Sequence, residues 1–177
     1  FMAYVDYGID KPERVRSLGM TGIVLVGLGF ASFIALRDVE ENWPIVILSI
    51  CLWVGVLLIV VAGIMLWSSK TGKFGMAWRM VEDLHWIGKE RVLDVGCGRG
   101  LLSVIAARKV PLGGIVGIDI WSQEELSENT IDAAMRNARL ESVGERVHFE
   151  DGDARKLSFQ RASFDKVISS LALHGIG

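Results

Sequence analysis

Two long apolar runs separated by a short charged connector open this chain, and a mixed stretch of alternating strand and helix signals follows. Residues 17–36 and 44–67 contain no charged side chain, and each is long enough to supply the roughly 20 helical residues that cross a bilayer. Trp43 and Trp67 bracket the second run, where indole rings favour a membrane interface, and Pro44 suits a first helical turn. The connector 37–42 is too short for anything except a helical hairpin. A secretory signal peptide fits poorly, because a second span follows directly with no small-residue cleavage site between. Gly27, Ala31 and Ala35 form a small-residue row on the first run, a face expected to let the second helix pack closely.

From Trp78 onward the pattern changes. An apolar run, Val92-Leu93-Asp94-Val95, breaks into glycines at 96, 98 and 100 and resumes as a helix over 101–109, ended by Pro111 and Gly113-Gly114. The run 115–118 stops at Asp119 and reads as a second strand. A helix is expected over 130–140, a third strand over 146–150 ending in Asp151-Gly152-Asp153, and a fourth over 164–171. Strands alternating with helices predict an α/β fold with an open parallel sheet that binds ligands at the carboxyl ends of its strands.

Composition supports two unlike halves. Hydrophobic residues make up 51% of the 177 positions and mean hydropathy is positive, yet 23% are charged and the net charge is only −2. The apolar excess lies before Lys70, which places a linker at 68–77. Basic residues flanking spans stay on the cytoplasmic side. Lys11, Arg14 and Arg16 precede the first run, Lys70, Lys73 and Arg79 follow the second, and the connector has only Arg37 among three acids. The expected organisation is therefore a cytoplasmic tail over 1–16, a transmembrane hairpin over 17–67, the linker, and an α/β domain over 78–177 facing the cytoplasm. Cys51 and Cys97 fall in different parts of this arrangement, so no disulfide is expected, and no zinc-ligand spacing, internal repeat or basic nucleic-acid patch is present.

A strand, a tight glycine loop and a helix N-terminus form the arrangement that cradles a nucleotide-like cofactor. A carboxylate at the tip of the next strand, here Asp119, is placed to accept from ribose hydroxyls. A nicotinamide fingerprint, G-x-G-x-x-G, has Leu101 where its last glycine belongs. Asp94 precedes the loop, where a carboxylate is suited to order loop amides and face a cationic ligand. Cys97 has no neighbouring histidine in sequence and reads as a small side chain fitted between glycines.

These residues resemble the class I S-adenosylmethionine-dependent methyltransferases, in the small-molecule branch, whose first motif is an acid followed by G-x-G-x-G. Asp94, Gly96, Gly98 and Gly100 match it. The resemblance covers roughly residues 78–174 and implies a Rossmann-like sheet and an enzyme that uses S-adenosyl-L-methionine. It implies that the loop from Asp94 through Gly96, Cys97, Gly98 and Gly100 holds the methionine part, that Asp119 binds the ribose, that Ile120 packs on adenine, and that Asp153 and Ala154 meet the adenine edge. His174, at the tip of the fourth strand, is the visible general base should the acceptor need deprotonation. The acceptor expected is a small molecule or a lipid, given the hairpin. Two features depart from the family. Residues 121–129 are longer and more polar than its usual loop, and the chain stops after the fourth strand where the family continues, with Phe1 ahead of Met2, as expected of a fragment. A nicotinamide-dependent oxidoreductase and a non-catalytic membrane protein with a cofactor-binding domain are the other readings the residues allow.

Overall fold

A computed structural model describes residues 4–37, 40 and 42–170. The chain divides into two compact units, Asp10–Ser69 and a second made of Phe1–Ile9 with Lys70–Gly177.

The first unit is a helical hairpin of α1 (Pro12–Ala35) and α2 (Trp43–Trp67). Both helices carry proline in their opening positions, where its missing N–H loses no helical hydrogen bond. α1 begins at Pro12 rather than at residue 17, so the basic residues Arg14 and Arg16 belong to its first turns and not to a tail. The row of Gly27, Ala31 and Ala35 does not form the seam: all three are exposed, and a Cβ added at Gly27 would meet nothing within 4 Å. The seam instead follows Val15, Gly22 and Gly29 on α1, seven residues apart, against Gly55 and Ala62 on α2. The reason is how near the backbones come. A Cβ at Gly22 would lie 2.7 Å from the Gly55 carbonyl oxygen, and one at Gly55 would lie 2.8 Å from that of Gly22.

A π turn (Ser68–Gly72), which spans the boundary in sequence between the units, and α3 (Lys73–Glu82) in the second unit replace the expected linker. α3 is structural, since Ala77 and Val81 are buried in the core. The alternation continues with β1 (Arg91–Val95), α4 (Leu101–Lys109), β2 (Gly114–Asp119), α5 (Ile131–Leu140), β3 (Val147–Asp151) and β4 (Lys166–Ile168). α5 starts where the Thr130 hydroxyl accepts from the Ala133 amide, an N-cap bond that fixes the helix boundary.

All described strand pairs are parallel, in the order β3-β2-β1-β4. Period-two alternation gives the sheet two apolar faces. Val92, Ile115, Phe149 and Ile168 pack with α4 and α5, while Leu93, Val95 and Ile118 pack with Ala154, Phe159 and Phe164. The chain leaves β1 toward β2 and β3 and returns on the other side for β4, so the strand order reverses beside β1, where open α/β sheets bind ligands.

Among the described opening residues, Tyr7 and Gly8 are packed and bonded rather than part of a free tail. Tyr7 is buried and meets Phe74 edge to face at 5.4 Å, and Lys73 Nζ donates to the carbonyls of Tyr7 and Gly8 at 2.7 Å each. No amphipathic period announces this segment, which is held through backbone groups that hydropathy does not see.

Candidate cofactor site

The carboxyl ends of β1 and β2 build the site. Gly96, Gly98 and Gly100 all have left-handed φ, at 71°, 52° and 83°. At Gly100 the space is closed as well, since a Cβ there would lie 2.8 Å from Phe149 Cζ, so this position excludes any other residue on two grounds. The loop is tied to β2, because the Gly96 and Cys97 amides both donate to the Ile118 carbonyl, at 2.8 and 3.0 Å. Beyond it Gly100 caps α4 in a left-handed conformation.

Asp119 completes this tie. Its Oδ2 accepts from the Gly98 amide at 2.8 Å, and its Oδ1 from the Trp121 amide at 2.7 Å and Asn129 Nδ2 at 3.1 Å. Loop and strand-end acid thus form one hydrogen-bonded surface. A carboxylate oxygen accepts from two directions, and Oδ2 carries a single described donor. Ile120 beside it is 68% exposed, an apolar side chain with room for a flat partner.

Asp94 does not order the loop amides as expected. The described loop amides go to Ile118, Asp119 and, for Gly100, the Cys97 carbonyl rather than to Asp94, which lies fully buried beneath the loop and accepts from Ser103 Oγ at 2.5 Å. Burial raises its carboxyl to about 7, opposed by the Ser103 hydroxyl and backbone amide. Its Oδ1 is buried with no described hydrogen-bond partner, as are Asn129 Oδ1 and Trp121 Nε1 beside β2. Burial also pushes the Cys97 thiol well above its ordinary range, reinforced by the charges of Asp94 and Asp119, so Cys97 is a packed thiol and not a ready nucleophile.

At the tip of β3, the Gly152 amide donates to the Asp119 carbonyl at 3.1 Å, which brings Asp153 and Ala154 to the same edge. Asp153 is engaged by Arg155, with Nη2 to Oδ2 at 2.7 Å and the backbone amide to Oδ1 at 2.9 Å. These bonds hold the Asp153 carboxyl at about 2, so it is charged and acceptor-only at neutral pH. Ala154 packs against the apolar cluster of Leu93, Val95 and Ile118. At β4, Ser169 Oγ donates to the Val95 carbonyl at 2.8 Å. His174 lies outside the described residues.

The structure therefore brings together the loop residues, Asp119, Ile120, Asp153 and Ala154 at one sheet edge, with Asp94 beneath. Sequence reasoning missed Ser103, Asn129 and Arg155. Ser103 and Asn129 had a signal, each being a polar residue that the fold buries, the first inside an apolar helical run. Arg155 had none, because a basic residue two positions from an acid is unremarkable on a loop.

A family model described as "Methyltransferase domain" matches residues 88–177, half of the chain. Among curated proteins, the ribosomal protein L11 methyltransferase of Cupriavidus taiwanensis is 39% identical over 104 residues, covering 59% of this chain and 30% of the relative. The aklanonic acid methyltransferase DauC of a Streptomyces species is 36% identical over 101 residues, covering 55% of this chain and 42% of the relative. Among solved structures, the YcgJ protein of Bacillus subtilis aligns with a TM-score of 0.47 at 26% identity, over 58% of this chain and 39% of that one. The chain thus spans less than half the length of these relatives.

Proposed function

The chain belongs to the class I methyltransferase domain family, whose cofactor is S-adenosylmethionine, and from that premise we propose that it is a membrane-anchored methyltransferase acting on a small or hydrophobic acceptor, with its α/β domain facing the cytoplasm. The observation that carries the cofactor reading is the bond between the Gly98 amide and Asp119 Oδ2, which joins the glycine loop and the strand-end acid into one receptor surface. The residues present fit the cofactor. The left-handed loop leaves backbone free of side chains, Asp119 Oδ2 has an open acceptor direction, Ile120 offers an exposed apolar face, and a buried carboxylate oxygen of Asp94 lacks a partner.

When bound, S-adenosylmethionine supplies a methyl group on a positively charged sulfonium. The chain's own residues hold and orient it. Gly96 to Gly100 seat the methionine part, Asp119 accepts from the ribose hydroxyls, Ile120 covers one face of the adenine, and Asp153 with Ala154 borders its edge. Asp153 has to share its carboxylate with Arg155 to accept from the adenine amino group. Asp94, at about 7 and in a dry setting, gives up its proton when a positive charge comes near and then balances that charge. His174 is assigned the general-base role from its sequence position alone.

The acceptor reading draws on two features. One relative is named for aklanonic acid, while another is named for a ribosomal protein, so relatives alone leave both a small molecule and a protein in play. The hairpin favours a hydrophobic acceptor in this reading, because its two helices are long and apolar enough to cross a membrane, and a domain anchored there would work where hydrophobic acceptors concentrate.

Equilibrium binding to the detergent-solubilised chain tests the cofactor assignment. S-adenosylmethionine and S-adenosylhomocysteine are expected to bind and NADH not to, with Asp119→Ala weakening the first two. Binding of NADH alone moves the assignment to an oxidoreductase, and binding of none by folded protein removes the cofactor role. Orientation is tested by labelling a cysteine placed at Asn42, which should react from the side opposite the α/β domain.

A further inference from the structure

Arg99 stands inside the glycine loop, and its side chain is only 1% exposed. A buried guanidinium demands compensation. Its Nη2 lies 3.2 Å from Asp6 Oδ2, without the alignment of a hydrogen bond, its Nη1 donates to the Ser127 carbonyl at 3.2 Å, and Glu128 Oε2 is 3.8 Å away. Asp6 comes from the far end of the sequence, ahead of α1.

The same opening segment is fastened to the loop's surroundings at further points. Asn137 on α5, wholly buried, donates from Nδ2 to the carbonyls of both Asp6 and Arg99, at 2.7 and 2.9 Å, and accepts from the Asp6 amide at 3.3 Å. One amide side chain thereby links the backbone of the opening segment to the backbone of the glycine loop. Ile9 donates to Ser127 Oγ at 2.7 Å, and the Ser127 amide returns a bond to the Ile9 carbonyl at 2.9 Å. Gly8, at φ 73°, passes so close that a Cβ would lie 2.9 Å from the Ser127 carbonyl oxygen and 3.1 Å from Arg99 Cδ.

We propose that Asp6, Arg99 and Asn137 are positioning residues for the cofactor: residues 6–9 clamp the glycine loop through Arg99 and Asn137, and cofactor affinity depends on this clamp. The inference rests on the cofactor assignment above and adds to it a determinant that the loop motif does not contain. None of the three reaches the reacting atoms. They act by fixing the backbone between Gly98 and Gly100, whose amides and left-handed turns shape the seat. Because α1 begins at Pro12, the clamp is continuous in sequence with the helical hairpin, and any pull that withdraws residues 6–9 leaves Arg99 buried beside fewer charges.

The test compares Asp6→Ala, Asp6→Glu and the double variant Asp6→Ala/Arg99→Met in the full detergent-solubilised chain. Three quantities are read: S-adenosylhomocysteine affinity by calorimetry, hydrogen exchange of the amides at 96–100, and melting temperature. Asp6→Ala leaves the buried Arg99 guanidinium less compensated, and is expected to weaken binding about tenfold and to speed exchange in the loop. Asp6→Glu should restore most of both, and Arg99→Met in the Asp6→Ala background should slow exchange again by removing the uncompensated charge. A lower melting temperature with unchanged affinity and unchanged loop exchange makes Asp6 a stabilising contact only and overturns the proposal. If the parent chain binds no S-adenosylhomocysteine while Asp6→Ala still loosens the loop, the clamp stands and the cofactor assignment fails.

Discussion

The two compact units of this chain put opposite residues inside. In the α/β unit the fully buried side chains include Phe149, Ile115, Ile118 and Val104, with a few polar ones among them such as Asp94, Ser103 and Asn137. In the hairpin the buried seam is Gly22, Gly29, Gly55 and Ala62, while Trp53, Leu57, Ile64 and Trp67 are mostly exposed. Large apolar groups move inward when water surrounds a fold, at about 25 cal/mol per Å² removed from contact. A helix pair that packs on glycines and turns its leucines outward is organised by close backbone approach instead, as expected where the surroundings are themselves apolar. The contrast is the best physical support for the proposed membrane anchor, because it concerns the placement of residues and not only their number.

Substitution of a large core residue separates the two units most sharply. Phe149→Ala removes a ring that fills the space between β3, Gly100 and Gly117, and should destabilise the α/β unit by about 3–5 kcal/mol. Hydrogen exchange should then rise across β1, β2 and β3 and stay unchanged in α1 and α2. Equal loss of protection in the hairpin would show that the units do not fold separately and would break the comparison. Next comes a charge on the hairpin's outer face. Leu57→Arg should cost about 3 kcal/mol of insertion if that face meets lipid, read as the fraction of chain extracted from membranes by alkaline carbonate. Extraction equal to that of the parent would mean the face meets water.

The functional counterpart is smaller. Asp119→Ala removes an acceptor of ribose hydroxyls and also frees the Gly98 amide, so S-adenosylhomocysteine binding should weaken by about 2–3 kcal/mol, roughly 30- to 150-fold. The hairpin's exchange pattern should not change. Retained affinity in this variant would sink the ribose assignment.

How much of this was legible in the sequence depends on the kind of interaction. Periodicity located the strands and helices of the α/β unit from β1 onward to within a few residues, because each buries a continuous apolar face, whereas α3 was read as a linker. The glycine spacing at 96, 98 and 100 identified the loop, since left-handed backbone leaves a compositional trace. Two things left none. The hairpin seam depended on which glycines face each other across two helices, and a row on one helix alone, such as Gly27, Ala31 and Ala35, does not specify that. The clamp at residues 6–9 is built from backbone bonds to Asn137, Ser127 and Lys73, all distant in sequence, so no local pattern marks it. Asp94 lies between these cases. Its place before the loop was plain, but its pairing with Ser103 and its burial required the fold.

That burial yields the subtlest difference between the units, since the hairpin's apolar seam has no group of this kind to titrate. Asp94 has a folded value near 7, well above its ordinary range. The folded chain therefore holds a proton that the unfolded chain has already released, and stability from this group is present at low pH and lost as pH rises from about 4 through 7. Asp94→Asn should flatten that slope while keeping the shape of the site. A cationic ligand near the loop favours the ionised carboxylate, so the sign for binding is the reverse. S-adenosylmethionine should bind more tightly at pH 8 than at pH 6, by up to about tenfold or 1.4 kcal/mol, with release of a proton as it binds. Calorimetry in two buffers of different ionisation enthalpy measures that proton directly. An affinity independent of pH, with no proton released, would mean that the ligand's charge does not reach Asp94 and that the acid serves only to anchor the start of α4 through Ser103.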